Sequence, residues 1–146
     1  MNQVIKSTDV RKNWSEVIDT VVRKNPVFIK RNRDILTFLS LEQLDLILDF
    51  YKLSLAIFRE EDGSYTGSID ELDILGNAGT KEEIIEVMCD ELIEYAEEYM
   101  ENFDMYYHSS NRKSHFPYVY KVIAHEADRE KIKQIFIIRI EDGLDA

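Results

Sequence analysis

One segment of this sequence predicts a long helix with two very different faces. Thr80 and Glu83 stand at the spacing of a capping box at its start. Beyond them, apolar residues recur every three or four positions: Ile84, Ile85, Met88, Leu92, Tyr95, Ala96, Tyr99 and Phe103. The opposite face is acidic and carries Glu82, Glu86, Asp90, Glu94, Glu97, Glu98 and Glu101. This is more acid than an ordinary solvent face needs, so the pattern indicates a helix with a buried stripe and a strongly anionic surface.

The beginning of the chain predicts a short strand followed by a helix. Val4 and Ile5 form a brief apolar start, and Ser7 or Thr8 can cap the helix. Its apolar positions fall on one face: Trp14, Val17, Ile18, Val21 and Val22. Asn25 and Pro26 then end the helix, since proline cannot continue it.

A hairpin and a second helix complete the first part. Residues 27–30 and 35–39 are β-rich runs, and the polar residues 31–34 between them suit a turn with a basic tip. Ser40 and Gln43 then form a capping box for a helix whose apolar side carries Leu44, Ile47, Leu48 and Tyr51. We expect this first unit to end near residue 53.

The remainder predicts a second α+β unit. Residues 54–59 and 64–69 form a second hairpin around the turn 60–63, and the loop 76–79 leads to the long helix. A polar loop at 109–114, a strand at 118–124 and a short helix at about 128–136 follow it. The predicted fold class is therefore α+β in two units. We expect the first unit to span residues 1–53 and the second, strongly acidic unit to span residues 54–146.

Charge is divided unevenly between these parts. The chain of 146 residues has a net charge of −11, yet residues 1–40 contain eight Lys and Arg against four Asp and Glu. That segment therefore carries +4, which leaves −15 for the rest. A ligand responds to the local electric field, so the basic N-terminal segment and the acidic remainder of the chain can attract different partners.

The cysteine content and the hydrophobic pattern indicate the cellular compartment of the protein. A single cysteine, Cys89, excludes an intrachain disulfide and a thiolate-rich zinc site. No apolar run approaches the roughly 18 residues that span a bilayer, and the N-terminus lacks the apolar stretch of a signal peptide. We therefore expect a cytoplasmic protein with no membrane partner.

The first part resembles the Phd/YefM family of dimeric DNA-binding antitoxins. The resemblance lies in residues 7–18, where Thr8 and Arg11 stand as Thr-x-x-Arg at a helix start, and in residues 26–31 and 39–44. Val10 and Trp14 stand where the family usually has Ala and Leu. The resemblance implies a homodimer that places two copies of the first helix start on operator DNA. The DNA-binding residues would be Lys6, Ser7, Thr8, Arg11 and Lys12, with Arg31 and Arg33 of the hairpin tip touching the backbone.

The second part is more weakly similar to the HicB antitoxin domain. The similarity lies in residues 58–69 and 79–84, and the proline that the family usually has between strand and loop is missing. The resemblance implies that the acidic surface neutralises a basic RNase-type toxin, and we take Glu94, Glu97, Glu98 and Glu101 as the partner-binding residues. An acidic face that only keeps the protein in solution is the alternative.

An enzyme is the less favoured function. His108, His115 and His125 could act with neighbouring carboxylates, but no His-x-x-x-His pair and no phosphate-binding loop is present, and their roles stay open. We therefore predict no catalytic residue, no metal and no cofactor. The sequence predicts the antitoxin of a type II toxin–antitoxin system, which represses its own operator and binds its toxin directly. The alternative is a stand-alone dimeric regulator or adaptor without a toxin.

Overall fold

A computed structural model describes residues 4–141 of the chain. The chain divides into two compact units, an N-terminal unit (Met1–Ile47) and a C-terminal unit (Leu48–Ala146). The division falls at the end of the second predicted helix, a few residues before the predicted boundary at 53. Each unit has its own sheet and its own helices, so the fold is α+β as the sequence predicts.

The N-terminal unit has a three-stranded sheet with the order β1-β2-β3. β1 is parallel to β2, whereas β2 and β3 form the predicted antiparallel hairpin. Its elements are β1 (Val4–Lys6), α1 (Ser7–Lys12), α2 (Trp14–Arg23), β2 (Val27–Arg31), β3 (Asp34–Phe38) and α3 (Leu41–Leu48). The short first strand, the end of the helix before Pro26 and the hairpin are all confirmed.

The first predicted helix differs from expectation in two ways. It is split into α1 and α2 at Asn13, whose backbone and side-chain nitrogens both donate to the Asp9 carbonyl at 3.0 Å and close α1. The predicted cap at Ser7 or Thr8 is also wrong, because both residues already lie in the first turn and Lys6 is the extended residue before it. Asparagine favours such local hydrogen bonds, and this explains the break.

The core of the N-terminal unit is small. Its buried residues are Val10, Val17, Val21, Val27 and Ile29, with Ile5 and Phe38 packed against them. Trp14 and Val22, which the helical pattern places on the apolar stripe, are mostly exposed, and Trp14 is 53% accessible. The Trp14 ring meets Phe38 edge to face at 5.8 Å. Trp14 is the first residue of α2 and follows directly after the break at Asn13.

The helix α3 begins with the predicted capping box. Gln43 N donates to Ser40 Oγ at 3.2 Å, and Ser40 N donates to Gln43 Oε1 at 3.1 Å. None of the residues of α3 is buried. Leu46 and Ile47 are 77% and 64% accessible. The helix is therefore well started and yet leaves its apolar side chains in solvent.

The C-terminal unit has a four-stranded sheet with the order β6-β5-β4-β7. β4, β5 and β6 are antiparallel neighbours, and β7 runs parallel to β4. The strands are β4 (Leu53–Arg59), β5 (Tyr65–Ile69), β6 (Ile74–Ala78) and β7 (Phe136–Glu141). The helices are α4 (Lys81–Glu101), α5 (Phe103–Tyr107), a 3₁₀ turn (Lys113–His115), α6 (Phe116–Ala124) and α7 (Arg129–Lys133).

Three expectations for the C-terminal unit are wrong. Residues 118–124 lie in α6 and not in a strand, because Val119 and Val122 are buried at helical spacing behind Pro117 in the first turn. Residues 76–78 belong to β6, whose Gly76 is paired with Gly67 of β5, and not to a loop. β7 follows the last helix, which ends at Lys133 and not at 136. The β-rich run 136–140 is too short for its pattern to separate a strand from a helix end.

The long helix α4 is confirmed and packs over β5 and β6. Glu83 N donates to Thr80 Oγ1 at 3.1 Å, as the sequence predicts. Its fully buried residues include Ile84, Met88, Leu92, Ala96 and Tyr99. Met88 fits because the facing strand positions are glycines: a Cβ at Gly67 would lie 2.7 Å from Met88 Cγ, and one at Gly76 would lie 2.8 Å from Met88 Sδ.

A buried lysine fixes the chain just before β4. Lys121 of α6 is buried, and its Nζ donates to the Leu48 carbonyl at 3.1 Å and to the Tyr51 carbonyl at 2.8 Å. These carbonyls belong to the last helical residue of α3 and to the turn that follows it. A buried ammonium group needs such acceptors, so Lys121 holds this connection in place.

Candidate functional site

The predicted DNA-binding residues of the first helix lie at the surface. Lys6 ends β1, Ser7 and Thr8 form the first turn of α1, and Arg11 and Lys12 form its last. All five are exposed except Ser7, which is half-buried, while Val10 on the same helix is buried and anchors it to the core. The short helix therefore presents hydroxyl and basic side chains outward from a fixed position.

The sheet brings the basic hairpin tip to this helix start. In the parallel pair β1–β2, Lys6 is in register with Lys30, one residue before Arg31. Neighbouring strands are about 4.8 Å apart, so Lys6, Lys30 and the start of α1 lie at one end of the sheet. Arg31 and Arg33 flank Asn32, whose φ of 55° makes the tight turn, and all three are exposed. The basic cluster at this end of the sheet is called the basic edge (Lys6, Lys30, Arg31 and Arg33) below.

Lys30 is the residue of the basic edge that the sequence reasoning missed. It was read as part of an apolar strand, and only the strand register shows that it lies beside Lys6. Its exposed position at the end of β2, next to buried Ile29, follows from the alternation of the strand. This alternation is the sequence feature that identifies Lys30 as an exposed residue.

The acidic side of α4 is divided into two parts by α7. Glu86 and Asp90 in its first half are paired with basic residues: Arg129 Nη2 lies 2.6 Å from Glu86 Oε2, and Arg129 also binds Asp90 while Lys133 binds Glu86. Hydrogen bonds from Lys133, and then from Arg129, lower the pKa of Glu86. Bonds to Asp90 and Glu86 correspondingly raise the pKa of Arg129. The charges of Glu86 and Asp90 are therefore compensated within the unit.

The second half of α4 holds the predicted partner-binding residues. Glu94, Glu97, Glu98 and Glu101 are all exposed. Glu98 Oε1 accepts a hydrogen bond from Tyr106 at 2.7 Å, and this bond is the first cause of a raised Tyr106 pKa. We call these four residues the acidic patch. This bond brings no positive charge to the patch, because a tyrosine hydroxyl is neutral.

A cleft of about 490 Å³ lies beside the acidic patch. It is lined by Leu72, Asp73, Ile74, Glu91, Glu94, Tyr95, Glu98, Asn111, Arg112 and His115. Tyr95 and His115 share a hydrogen bond of 2.6 Å between the hydroxyl and Nδ1, and the Arg112 guanidinium lies 4.5 Å from the Tyr106 ring centre. Burial, followed by the charge of Arg112, lowers the pKa of His115. His115 is thus a wall residue of the cleft, which the sequence left as a loop histidine.

Comparison with known proteins decides the family. A family model described as PHD_like, "Antitoxin of toxin-antitoxin, RelE / RelB, TA system", matches residues 1–137. The chain belongs to this antitoxin family. Because the match spans both units, the antitoxin family includes the acidic α+β unit as well as the basic N-terminal unit. No curated protein matches the sequence.

A solved structure agrees with the family. The antitoxin is similar to a protein from Syntrophomonas wolfei subsp. wolfei, whose crystal structure is assigned as the antitoxin part of a toxin/antitoxin system. The two share 35% identity with a TM-score of 0.86, over 96% of this chain and 100% of the other. The likeness therefore covers the fold of the whole antitoxin. The narrower resemblances to Phd/YefM and to HicB stay predictions.

Within residues 4–141, no group of three or more His, Cys, Asp or Glu side chains is arranged to hold a metal ion. In the same range, no helix is both long and apolar enough to cross a membrane. The basic edge, the acidic patch and the cleft beside that patch are the candidate sites in the part of the chain that the structure describes.

Proposed function

We propose that this antitoxin binds operator DNA as a homodimer through its N-terminal unit and neutralises a basic RNase-type toxin through the acidic patch. The observation that carries the proposal is the segregation of charge, with the basic edge and α1 on one unit and the acidic patch on the other. The proposal assumes the finer Phd/YefM-type use of the first helix and a cytoplasmic location. It gives no residue a catalytic role.

The local positive charge of the N-terminal unit supports binding to DNA. Affinity for duplex DNA comes largely from Lys and Arg that neutralise phosphates, and the N-terminal unit gathers such residues at one end of its sheet. Lys6, Lys30 and Arg31 would contact the backbone from this end. Arg11 lies four residues along α1 from Ser7, about 6 Å along the axis, and its guanidinium can donate two hydrogen bonds to a guanine.

The small core of the N-terminal unit supports a dimer. Five buried residues form that core, and α3 adds none. A unit of about 50 residues buries little surface and is marginally stable by itself, so contact with a second copy would stabilise it further. Leu46 and Ile47 of α3 are the apolar side chains available for a second copy. A two-fold dimer would also double the basic edge on the DNA.

The surface proposed to bind the toxin is the second half of α4, which holds the acidic patch. RNase toxins are cationic because they hold RNA, and an anionic surface competes for the same site. The acidic patch has no basic residue of α7 beside it, in contrast to Glu86 and Asp90. A HicB-like use of the C-terminal unit would place the toxin on this surface.

The first test is a fluorescence-anisotropy titration of the full chain with its own promoter DNA and with a scrambled duplex, at two salt concentrations. We expect tighter binding to the promoter and a marked loss of affinity at the higher salt concentration. Equal binding to both duplexes by an intact dimer would reject the operator function. The N-terminal likeness would then describe only a shared dimer fold.

Arg11→Ala is expected to weaken promoter affinity by roughly tenfold and to lower the slope of log K against log salt by about one. The reason is the loss of one exposed guanidinium from α1. Arg23→Ala is the matched control, because Arg23 is exposed at the end of α2, before the opposite end of β2. The same loss of affinity in both variants would show that overall charge, and not the position of Arg11, sets the binding.

A triple reversal in the acidic patch, Glu94→Lys with Glu97→Lys and Glu101→Lys, is expected to leave promoter affinity nearly unchanged. We expect the same variant to weaken binding of the protein encoded by the neighbouring gene by roughly tenfold, measured by calorimetry. A control with the same change of net charge carries Glu42→Lys, Glu60→Lys and Glu61→Lys, all at exposed positions. Loss of promoter binding by the folded triple variant alone would contradict the division of roles.

A further inference from the structure

We infer that β7 is a second self-association surface, at which the β7 strands of two copies pair antiparallel and join their C-terminal sheets. This goes beyond the proposed function, which places the DNA-binding dimer in the N-terminal unit. β7 is the edge strand of the order β6-β5-β4-β7, and in the described residues it pairs only with β4. The pairing joins residues 139–141 of one copy to the same residues of the other.

The register with β4 shows which backbone groups face outward. Leu53 N donates to the Ile135 carbonyl at 3.0 Å, and Leu53 is in register with Phe136. In a parallel ladder, alternate residues of a strand direct their N–H and C=O groups to the same neighbour. Residues 137 and 139 therefore bond to β4, and the N–H and C=O groups of Phe136, Ile138 and Ile140 face outward. The outer edge thus carries a regular set of donors and acceptors for another strand.

The side chains of β7 do not protect this edge. Ile137, Ile138 and Ile140 are 60%, 42% and 50% accessible, so both faces of the strand are apolar. Natural edge strands are usually protected by proline, by bulges or by several charges. Here the charges are Arg139 and Glu141, which pair with each other at 2.6 Å and leave the strand neutral.

The charge pattern of β7 is complementary to itself, and this selects a second copy as the occupant. Antiparallel pairing centred on Ile140 places the two Ile140 residues opposite each other. Arg139 of each copy then lies opposite Glu141 of the other copy. A centre at Arg139 would oppose two arginines, and a centre at Ile138 would lose both ion pairs. The acidic helix α4 packs over β5 and β6, away from β7, so its charge does not oppose this contact.

A cysteine cross-link tests the predicted register. In the Ile140-centred pairing the two Ile140 Cα atoms would be about 5.5 Å apart, within the range of a disulfide. We expect Ile140→Cys to form an interchain disulfide under mild oxidation, and Leu75→Cys, exposed on β6, to form much less. Native Cys89 is buried and does not interfere. Equal cross-linking of the two variants would overturn the inference.

A charge exchange tests the ion pairs by sedimentation velocity of the full chain. The background is Leu46→Glu with Ile47→Glu, which removes the proposed α3 contact and leaves β7. Arg139→Glu and Glu141→Arg are each expected to weaken association at least tenfold, and an equimolar mixture of the two should restore it, because each strand then meets the opposite charge. A mixture that associates no better than its components would overturn the self-pairing. A second outcome would also overturn it. If the neighbouring-gene protein protects the Ile140→Cys thiol from alkylation in a chain that does not self-associate, β7 instead pairs with a strand of the toxin.

Discussion

Replacing Leu46 and Ile47 by glutamate is expected to convert the proposed N-terminal dimer to a form that dissociates roughly 1,000-fold more readily. Both side chains are exposed on α3 and unsupported by the core, so the substitutions should not disturb folding of the isolated chain. The dimer contact loses four aliphatic side chains, two from each copy, and at about 1 kcal/mol for the partial burial of each they correspond to about three powers of ten in the dissociation constant. Sedimentation equilibrium measures the change, and promoter affinity should fall with it.

The matched control for this variant is Glu42→Lys, an exposed charge change on the same helix. It should leave the dimer intact. A double-glutamate variant that kept both its dimer and its promoter affinity would show that α3 is not the dimer contact. A variant that dimerised normally and lost only promoter affinity would assign α3 to DNA instead.

Gly67→Ala is expected to lower the free energy of unfolding by about 2 kcal/mol, as overpacking of a filled core typically does. The new methyl would lie 2.7 Å from Met88 Cγ and 3.2 Å from Ile84 Cγ1, and both Met88 and Ile84 are fully buried. In a chain of this length the melting temperature should fall by roughly 6 °C. Urea denaturation followed by circular dichroism gives the free energy directly.

Two comparisons make the Gly67 result specific. Gly79→Ala should have little effect, since its methyl would meet only the Glu83 carboxylate at 3.4 Å. The double variant Gly67→Ala with Met88→Ala should be more stable than the sum of the two single losses, because the smaller side chain makes room for the methyl. Strict additivity would contradict the proposed collision and place the role of Gly67 elsewhere.

The sequence predicted those parts of the fold whose cause is local. The capping pairs Ser40–Gln43 and Thr80–Glu83 are within one turn, and Pro26 ends a helix wherever it stands, so these features are read from neighbouring residues. The helix α4 was predictable for the same reason, since its stripe of buried residues repeats over five turns. The hairpin of β2 and β3 likewise follows from a polar turn between two apolar runs.

The sequence did not predict the parts that depend on distant residues. Gly76 was read as a loop residue because glycine usually is, but Met88 of α4 needs its small size in the middle of a sheet. Residues 118–124 are rich in aromatic and β-branched residues, and the helix is decided by burial of Val119 and Val122 against the core. β7 finds its partner β4 some eighty residues earlier in the chain.

The residues of the candidate sites likewise divide into those with a local sequence pattern and those brought together by distant contacts. The residues of α1 and the carboxylates of α4 were visible as local charge patterns, whereas Lys30 joined the basic edge only through the register of β1 with β2. The pairing of Glu86 and Asp90 with α7 was equally hidden, because Arg129 and Lys133 are about forty residues away. The acidic pattern of α4 alone therefore overestimates the number of carboxylates without a basic partner.

The position of Trp14 gives this protein two separate spectroscopic reporters. It is the one tryptophan of the chain and lies half-exposed in the N-terminal unit, whereas all eight tyrosines belong to the C-terminal unit. Tryptophan emission, excited at the red edge, therefore follows the N-terminal unit alone, and near-ultraviolet absorbance follows mainly the tyrosine-rich unit. A single label-free denaturation can thus establish whether the two units unfold together, and a shift of the tryptophan emission on addition of a ligand identifies the unit that binds it.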